Sequence, residues 1–310
     1  MERYTESLLE PVGTFIVDWL DQNAGGNHKV AIGISGGKDS SVMAGTCAKV
    51  LGPDNVYGIM LPNGIQSDIS DSNAIIDFLG IHKIEINIGT AFNSISSQID
   101  GFNNSEVACT NFPARLRLAT IMAQAQSLGA TMVNTCNRSE NVVGYCTLFG
   151  DDGGSFSPFG RMTTEEVIQI GDELGLPKEL VHKTPVDGLQ ALSDEDKLGF
   201  TYHEINELIR YGVRGEHFKE IVAKYRANRF KLKIVNLDTF HPGRRDFFDM
   251  IDYKDNRIKF ATHPLSLEEL NSIETVGMAK AGFNESGLSY DPTTIERNYA
   301  PSTVPEHNDF

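Results

Sequence analysis

The sequence predicts an α/β fold organised as a doubly wound parallel sheet. Short apolar runs alternate with stretches of helical periodicity from Val30 to Thr135, the pattern of strands joined by crossover helices. Turn residues punctuate the runs, Gly52-Pro53 and Pro62-Asn63-Gly64 among them. The first run, Val30–Ile34, breaks into Ser35-Gly36-Gly37 and continues as a helical pattern with Val42, Met43, Cys47 and Val50 at helical spacing. Ligands of such sheets bind outside the carboxyl ends of the strands. Ser35, Leu61 and Thr135 stand at expected strand ends, so one crevice should collect them.

In chain order, Thr5–Asp21 places Leu8, Leu9, Val12, Phe15, Ile16, Trp19 and Leu20 on one face, which predicts an amphipathic helix on the core. Val56–Leu61 reads as the second strand, Ser67–Leu79 as a helix and Lys83–Ile88 as the third strand. Thr90–Ile99 and Val107–Leu128 read as helices, and Thr131–Thr135 as the fourth strand. Thr163 and Glu166 form a capping box that opens a helix ending near Gly175 and Pro177. Lys183–Leu192 is irregular, with Pro185 and Gly188, and is expected to be a mobile lid. Lys197–Arg210 reads as helix again. Lys224–Lys233 carries Lys224, Arg226, Arg229, Lys231 and Lys233, a pattern that suits a solvated face and an anion-binding one equally. Beyond Asn236 the periodicity weakens without a motif, and Pro301–Phe310 is expected to be loose.

The stretch Val30–Ser41 reads V-A-I-G-I-S-G-G-K-D-S-S. Two glycines between strand and helix let backbone N–H groups close on an anion at a helix N-terminus, where unpaired donors and the dipole favour negative charge. Ser35 and Ser40 add hydroxyl donors. Asp39 repels phosphate unless a divalent cation lies between them, so the stretch reads as a site for magnesium-bound pyrophosphate. A Walker P-loop is excluded, because Ile32 and Asp39 stand where it needs Gly and Ser or Thr. A Rossmann fingerprint is excluded by Ser35 at its second glycine.

With 310 residues, 40% apolar and 22% charged, the chain has ample material for one sizeable domain, alone or with an appendage. Its net charge of −15 argues against nucleic acid and anionic membranes as partners, and obliges an anionic substrate to find local arginines, lysines or a metal. The four cysteines, Cys47, Cys109, Cys136 and Cys146, show no C-x-x-C spacing. No window approaches a transmembrane span, and Met1–Pro11 is acidic and polar rather than a signal peptide, so a cytoplasmic location is expected.

The letters S-G-G-x-D-S resemble the signature of the ATP pyrophosphatase (PP-loop) superfamily, whose members split ATP into AMP and pyrophosphate while adenylating a substrate. Other segments narrow the resemblance to ammonia-dependent NAD synthetase. They are G-I-S-G-G-K-D-S at Gly33–Ser40, P-A-R-L-R-L at Pro113–Leu118, N-T-C-N-R-S-E at Asn134–Glu140, G-Y-C-T-L-F-G-D at Gly144–Asp151 and S-D-E-D-K-L-G-F-T-Y at Ser193–Tyr202. The resemblance implies a PP-loop domain over residues 1–235 and leaves 236–310 as a C-terminal extension of unknown role. It leaves no room for a nitrilase-like glutaminase, so free ammonia is the implied nitrogen donor. The implied reaction amidates nicotinic acid adenine dinucleotide (deamido-NAD): ATP adenylates the nicotinate carboxylate, and ammonia attacks the mixed anhydride. No protein nucleophile is needed, and a homodimer with the dinucleotide site near its interface is implied.

By the same resemblance Asp39 and Glu140 are the catalytic pair and the magnesium ligands. Gly33, Ser35, Gly36, Gly37, Lys38, Asp39 and Ser40 of the loop, with Met60, Leu61 and Thr135, are the expected ATP site. Arg115, Asp151 and Lys231 are expected on deamido-NAD, and Arg117 reads as a helper or as a surface arginine. Four positions depart from the family pattern: Thr164 replaces a lysine on ATP, Val186 a lid threonine, Leu148 a lysine on deamido-NAD, and Ser155 a common aspartate. Lys38 or Lys183 is a candidate to replace the missing charge. Three alternatives stay open: the same chemistry on nicotinate mononucleotide, another PP-loop adenylating ligase, and a nucleotide-binding sensor without catalysis.

Overall fold

The structure, a computed structural model, describes residues 3–66, 69–183, 193–259, 261, 265–281 and 283. Its main sheet has four parallel strands, β1 (Val30–Gly33), β2 (Val56–Met60), β3 (His82–Glu85) and β4 (Thr131–Met132), in the order β3-β2-β1-β4. Helix α1 (Leu9–Asn23) precedes the sheet, α2 (Lys38–Leu51) joins β1 to β2, and α3 (Ile69–Leu79) joins β2 to β3. Helices α4 (Gly89–Ser96) and α5 (Glu106–Leu128) then return the chain past β1 to β4. Strand order therefore reverses at β1, and the crevice of such a sheet opens where that reversal occurs.

Alternation along the strands divides the core in two. Val30 and Ile32 pack with Val12, Ile16 and Leu20 of α1 and with Val42, Met43 and Cys47 of α2. Ala31 and Ile59 face the opposite side and pack with Ile121 and Ala125 of α5. Each fully buried aliphatic side chain contributes about 1.5–3 kcal/mol, so a one-residue slip of β1 exchanges both faces and is strongly disfavoured.

After β4 come α6 (Arg138–Val143), β5 (Phe156–Ser157), α7 (Thr164–Glu173), α8 (Lys178–Val181), α9 (Asp194–Leu198), α10 (Tyr202–Tyr211), α11 (Phe218–Asn228), α12 (Phe230–Ile234) and β6 (Asp238–Thr239). A parallel bridge from Val133 to Phe156 leads to the small parallel pair β5-β6. Trp19 of α1 closes over this pair, its indole stacked 4.2 Å from Phe156 and its Nε1 donating to Asp238 at 2.9 Å.

Several expectations need correction. Lys197–Arg210 is two helices rather than one, because Gly199 turns left-handed at φ 82° and Thr201 opens α10 with its own capping box. The basic stretch Lys224–Lys233 is shared between α11 and α12, which meet at Arg229. Regular pairing of the fourth strand stops at Met132, since the Asn134 side chain turns the chain by accepting from Cys136 N–H at 3.0 Å.

The chain divides into two compact units, Glu2–Phe248 and one that begins at Asp249. Residues 236–248 lie in the first. The division falls inside α13 (Phe247–Lys259), which is followed by α14 (Leu267–Lys280). In the second unit Lys254 and Glu274 form a buried ion pair at 2.6 Å, and Gly277 lets α14 approach Met250 and Tyr253. Val186, most of the expected lid and Pro301–Phe310 lie outside the described residues. Among the described residues no helix is long and apolar enough to cross a membrane.

Candidate active site

At the end of β1 the loop turns on Gly36, whose φ of 78° is left-handed. A side chain there would be strained and would press within 2.9 Å of Asp71 Cβ and 3.0 Å of Ser72 N on α3. Ser35 and Ser40 hydroxyls lie 3.2 Å apart, Gly37 N–H donates to Ser35 Oγ at 3.2 Å, and Ser41 Oγ donates to Gly37 O at 2.8 Å. These bonds hold the loop tight over the first turn of α2. No side chain caps that turn, whereas α6, α7, α9, α10 and α14 all open on capping boxes. The uncapped donors of α2 and its dipole are therefore left for an anion.

Behind the loop lies a buried polar node. Lys38 is 5% exposed, with its ammonium 3.0 Å from Asp39 Oδ2 and 5.5 Å from the centre of the Tyr202 ring. Burial alone would lower its pKa, but the carboxylates Asp39, Glu140 and Asp194 outweigh burial and raise it. Glu140 moves the other way for an acid's charge: burial first, and Asp39 second, push its carboxyl well above the usual carboxylate range, against the pull of Lys38. Tyr145 OH donates to Asp194 Oδ1 at 2.9 Å. The buried Tyr202 hydroxyl has no partner among the described residues, and burial, Glu140, Asp194 and Asp39 all hold its proton on. Asp39 raises the Glu140 pKa and Lys38 opposes it, so the two acids stand close together with one ammonium beside them. The donor set, hard oxygens from the starts of two helices plus an unpartnered hydroxyl, fits a divalent cation of the magnesium type.

Asn137 joins the two acidic helix starts. Its Oδ1 caps α6, accepting from Ser139 N–H at 2.9 Å and Glu140 N–H at 3.1 Å, and its Nδ2 donates to Asp39 Oδ1 at 2.9 Å. Ion pairs anchor α6 from behind: Arg138 grips Asp246 at 2.8 and 3.2 Å, and Glu166 of α7 is gripped by Arg210 and Arg244. Ser139 Oγ donates to Asn206 Oδ1 at 2.6 Å and accepts from Thr164 N–H at 3.1 Å. The described residues also bring Glu165, His203 and Glu207 within 4.8 Å of one another. There His203 bonds Glu165 and Glu207 pairs with Arg3, so their charges are already matched.

A second set of expected residues gathers on the loop after α6. Lys231 Nζ donates to the Gly144 and Cys146 carbonyls, both at 2.8 Å, and Arg115 Nε donates to Leu148 O at 3.1 Å. Thr147 N–H donates to Asp151 Oδ1 at 2.8 Å, and Asn134 Nδ2 reaches Asp151 O and Gly153 O. Asp151 and Ser155 are exposed, while Leu148 and Thr135 are partly exposed. Arg117 Nε donates to Leu61 O at 3.0 Å, which ties α5 to the end of β2 beside the buried Met60.

The structure thus brings Lys38, Asp39 and Glu140 together, and separately Arg115, Leu148, Asp151 and Lys231. Thr164 sits apart from open space, 5% exposed at the start of α7, with its hydroxyl 3.4 Å from Asn137 Oδ1. Gly33 closes β1 against Ile121, where a side chain would come within 2.8 Å. Lys183 pairs with Asp71 at 2.6 Å, next to the wall that Gly36 approaches. Asn137, Asp194 and Tyr202 are the residues that sequence reasoning passed over. For Asn137 a signal existed, an Asn followed three residues later by Glu. Asp194 and Tyr202 lie in the Ser193–Tyr202 segment that carries the family resemblance, but nothing in it gives either a role, and only the fold brings them to the node.

The NAD synthase family model matches residues 10–238. An ammonia-dependent NAD synthetase of Pyrococcus furiosus is 34% identical over 216 residues, covering 69% of this chain and 83% of the relative. One from Finegoldia magna is 28% identical and covers 75% and 96%. Among solved structures, an NMN synthetase of Francisella tularensis is 28% identical with a TM-score of 0.64, covering 74% of this chain and 96% of that one. The ammonia-dependent NAD synthetase of Campylobacter jejuni, at 22% identity and a TM-score of 0.59, shares the fold over 72% and 94% of the two chains.

Proposed function

The chain belongs to the NAD synthase family, and from that membership we propose that it amidates deamido-NAD to NAD with free ammonia and ATP. One observation carries the reading most: the acids Asp39 and Glu140, at the starts of α2 and α6, stand close together beside Lys38, next to an α2 start that no side chain caps. In the first step a nicotinate carboxylate oxygen attacks the α-phosphorus of ATP, and the bond to the bridging oxygen breaks to release pyrophosphate. In the second, the ammonia lone pair attacks the carboxyl carbon of the adenylate, AMP leaves, and the nitrogen loses a proton to solvent. The loop Ser35–Ser40 binds the departing pyrophosphate through backbone N–H groups and hydroxyls, with no covalent bond to the protein. Asp39 and Glu140 would hold magnesium, which when bound neutralises charge on the leaving phosphates.

The remaining expected residues take positions around that reaction. Met60, Leu61 and Thr135 line the strand ends where the adenosine part of ATP lies. Arg115, Leu148, Asp151, Ser155 and Lys231 form the acceptor side, and a homodimer is the proposed assembly. Lys38 supplies the cation that the family places at position 164, held charged by its carboxylate neighbours. A second reading shortens the acceptor to nicotinate mononucleotide. It is favoured by the likeness to an NMN synthetase and by Leu148 and Ser155, which offer no charge to the adenylate half of a dinucleotide.

The test offers ATP, magnesium and ammonium with either acceptor and assays AMP, pyrophosphate and amide. NAD from deamido-NAD, with AMP and pyrophosphate in equal amounts, is expected. Product from the mononucleotide alone would replace the acceptor, and release of ADP and phosphate would overturn the reaction class.

A further inference from the structure

We infer that Asn137 is a positioning residue that sets the spacing and orientation of the Asp39 and Glu140 carboxylates, and through them the metal–ATP site. The inference rests on the proposed role of those two carboxylates and goes beyond it, because it concerns what holds them.

Asn137 is fully buried and every polar atom it owns, apart from its carbonyl, is committed within the node. Its backbone N–H donates to Glu140 Oε2 at 3.1 Å. Its Oδ1 accepts from the Ser139 and Glu140 N–H groups and faces the Thr164 hydroxyl at 3.4 Å. Those bonds leave Nδ2 only one direction, and there it donates to Asp39 Oδ1 at 2.9 Å. One residue therefore touches a carboxylate on each of two helices that are remote in sequence, Asp39 through its side chain and Glu140 through its backbone N–H. Asp39 Oδ2 is taken by Lys38 at 3.0 Å, so Asn137 and Lys38 between them fix the plane of that carboxylate.

The chemistry requires an amide. An N-cap needs an acceptor, and Ser, Asp and Asn all supply one. The contact with Asp39 needs a donor on the same side chain, which Asp lacks and which Ser is too short to extend. Asn is the residue that caps α6 and donates across to α2 at once. Between two partly buried acidic groups, a neutral donor lowers the cost of bringing them close while adding no charge of its own.

The experiment compares Asn137→Ser and Asn137→Asp with wild type and with Asp39→Asn, using the full chain. Three readouts are taken: melting temperature, binding of Mn2+ in the presence of ATP followed by the electron paramagnetic signal of free Mn2+, and kcat with KM for magnesium–ATP. Asn137→Ser keeps the cap and adds no charge, so its melting should change by only a few degrees, whereas Asn137→Asp keeps the cap but sets a carboxylate against Asp39 and should melt lower. In Asn137→Ser the affinity for Mn2+ with ATP should fall by about tenfold or more, corresponding to about 1.4 kcal/mol, with kcat reduced and KM for the acceptor unchanged. Wild-type affinity in Asn137→Ser, beside lost affinity in Asp39→Asn, would overturn the inference alone. Unchanged affinity in Asp39→Asn as well would overturn the underlying metal reading. A measurement on the unmutated chain guards against misfolded variants: selectively labelled Asn137 should show a side-chain amide protected from solvent exchange, and rapid exchange would refute the bond to Asp39.

Discussion

Arg138→Met should cost substantial stability, and the cost should depend on pH. The Arg138 and Asp246 side chains are 7% and 3% exposed and meet through two hydrogen bonds. Breaking a buried pair from one side costs about 3–5 kcal/mol, because the remaining charge is left without its partner. Arg161, 3.7 Å from Asp246, and Phe248 N–H, at 3.0 Å, retain part of the compensation, which places the loss near the lower figure, about 3 kcal/mol. For a unit of this size that is roughly 6–12 °C in Tm.

The pH dependence follows from Asp246. Burial would raise its pKa, but Arg138 first, then Arg210 and Arg161, hold it below the usual value. A depressed folded pKa contributes stability above the unfolded value of about 3.9, and that stability is lost as pH falls through the folded one. Without Arg138 the burial effect gains ground and the pKa rises, so lowering the pH lets the carboxyl take up a proton and relieves the penalty. Urea unfolding followed by circular dichroism at pH 7.5 and pH 5 should therefore show a gap between wild type and variant that narrows at pH 5. Adding Asp246→Leu should recover part of the loss. A deficit below about 1 kcal/mol at pH 7.5, or one of equal size at both pH values, would refute the reasoning.

Three further outcomes are expected. Gly36→Ala, which forces a left-handed φ on a residue already against α3, should destabilise the chain by about 1–3 kcal/mol and raise KM for ATP more than it lowers kcat. In chelator, Glu140→Gln should flatten the pH dependence of melting between pH 5.5 and 8.5. The wild-type carboxyl has a raised folded pKa, so its contribution favours low pH and fades as pH rises, and a slope that persists in the variant would assign the effect elsewhere. Lys231→Ala releases the carbonyls of Gly144 and Cys146 and should weaken the acceptor in KM by about tenfold while leaving ATP binding unchanged; equal effects on both substrates would count against a local role.

Much of the first half of the fold is legible because its signals are local. Val30–Ile34, the Gly36 turn and the α2 pattern announce a strand, a tight corner and a helix within a dozen residues, and β2, α3 and α5 lie close to where periodicity puts them. The legibility fades where long-range contacts decide. Strands β5 and β6 are two residues each, too short for alternation, and exist because Phe156 and Asp238 meet across the chain under Trp19. The break at Gly199 is visible in hindsight as a glycine before a Thr-x-x-Glu box, yet apolar spacing on both sides of it masks the interruption. In the site, Asp39 is conspicuous because a carboxylate contradicts its phosphate-binding setting. Asp194 and Tyr202 contradict nothing in their own neighbourhoods, and only tertiary packing gives them meaning.

The stacking of Trp19 on Phe156 has a practical corollary. The sequence holds a single tryptophan, so all indole emission arises from one address, a helix lid over the rim of the sheet one residue from Ser155. Nothing between Asp249 and the C-terminus shares that chromophore. Fluorescence will therefore follow the melting of one compact unit and stay blind to the other, a separation of signals that needs no label.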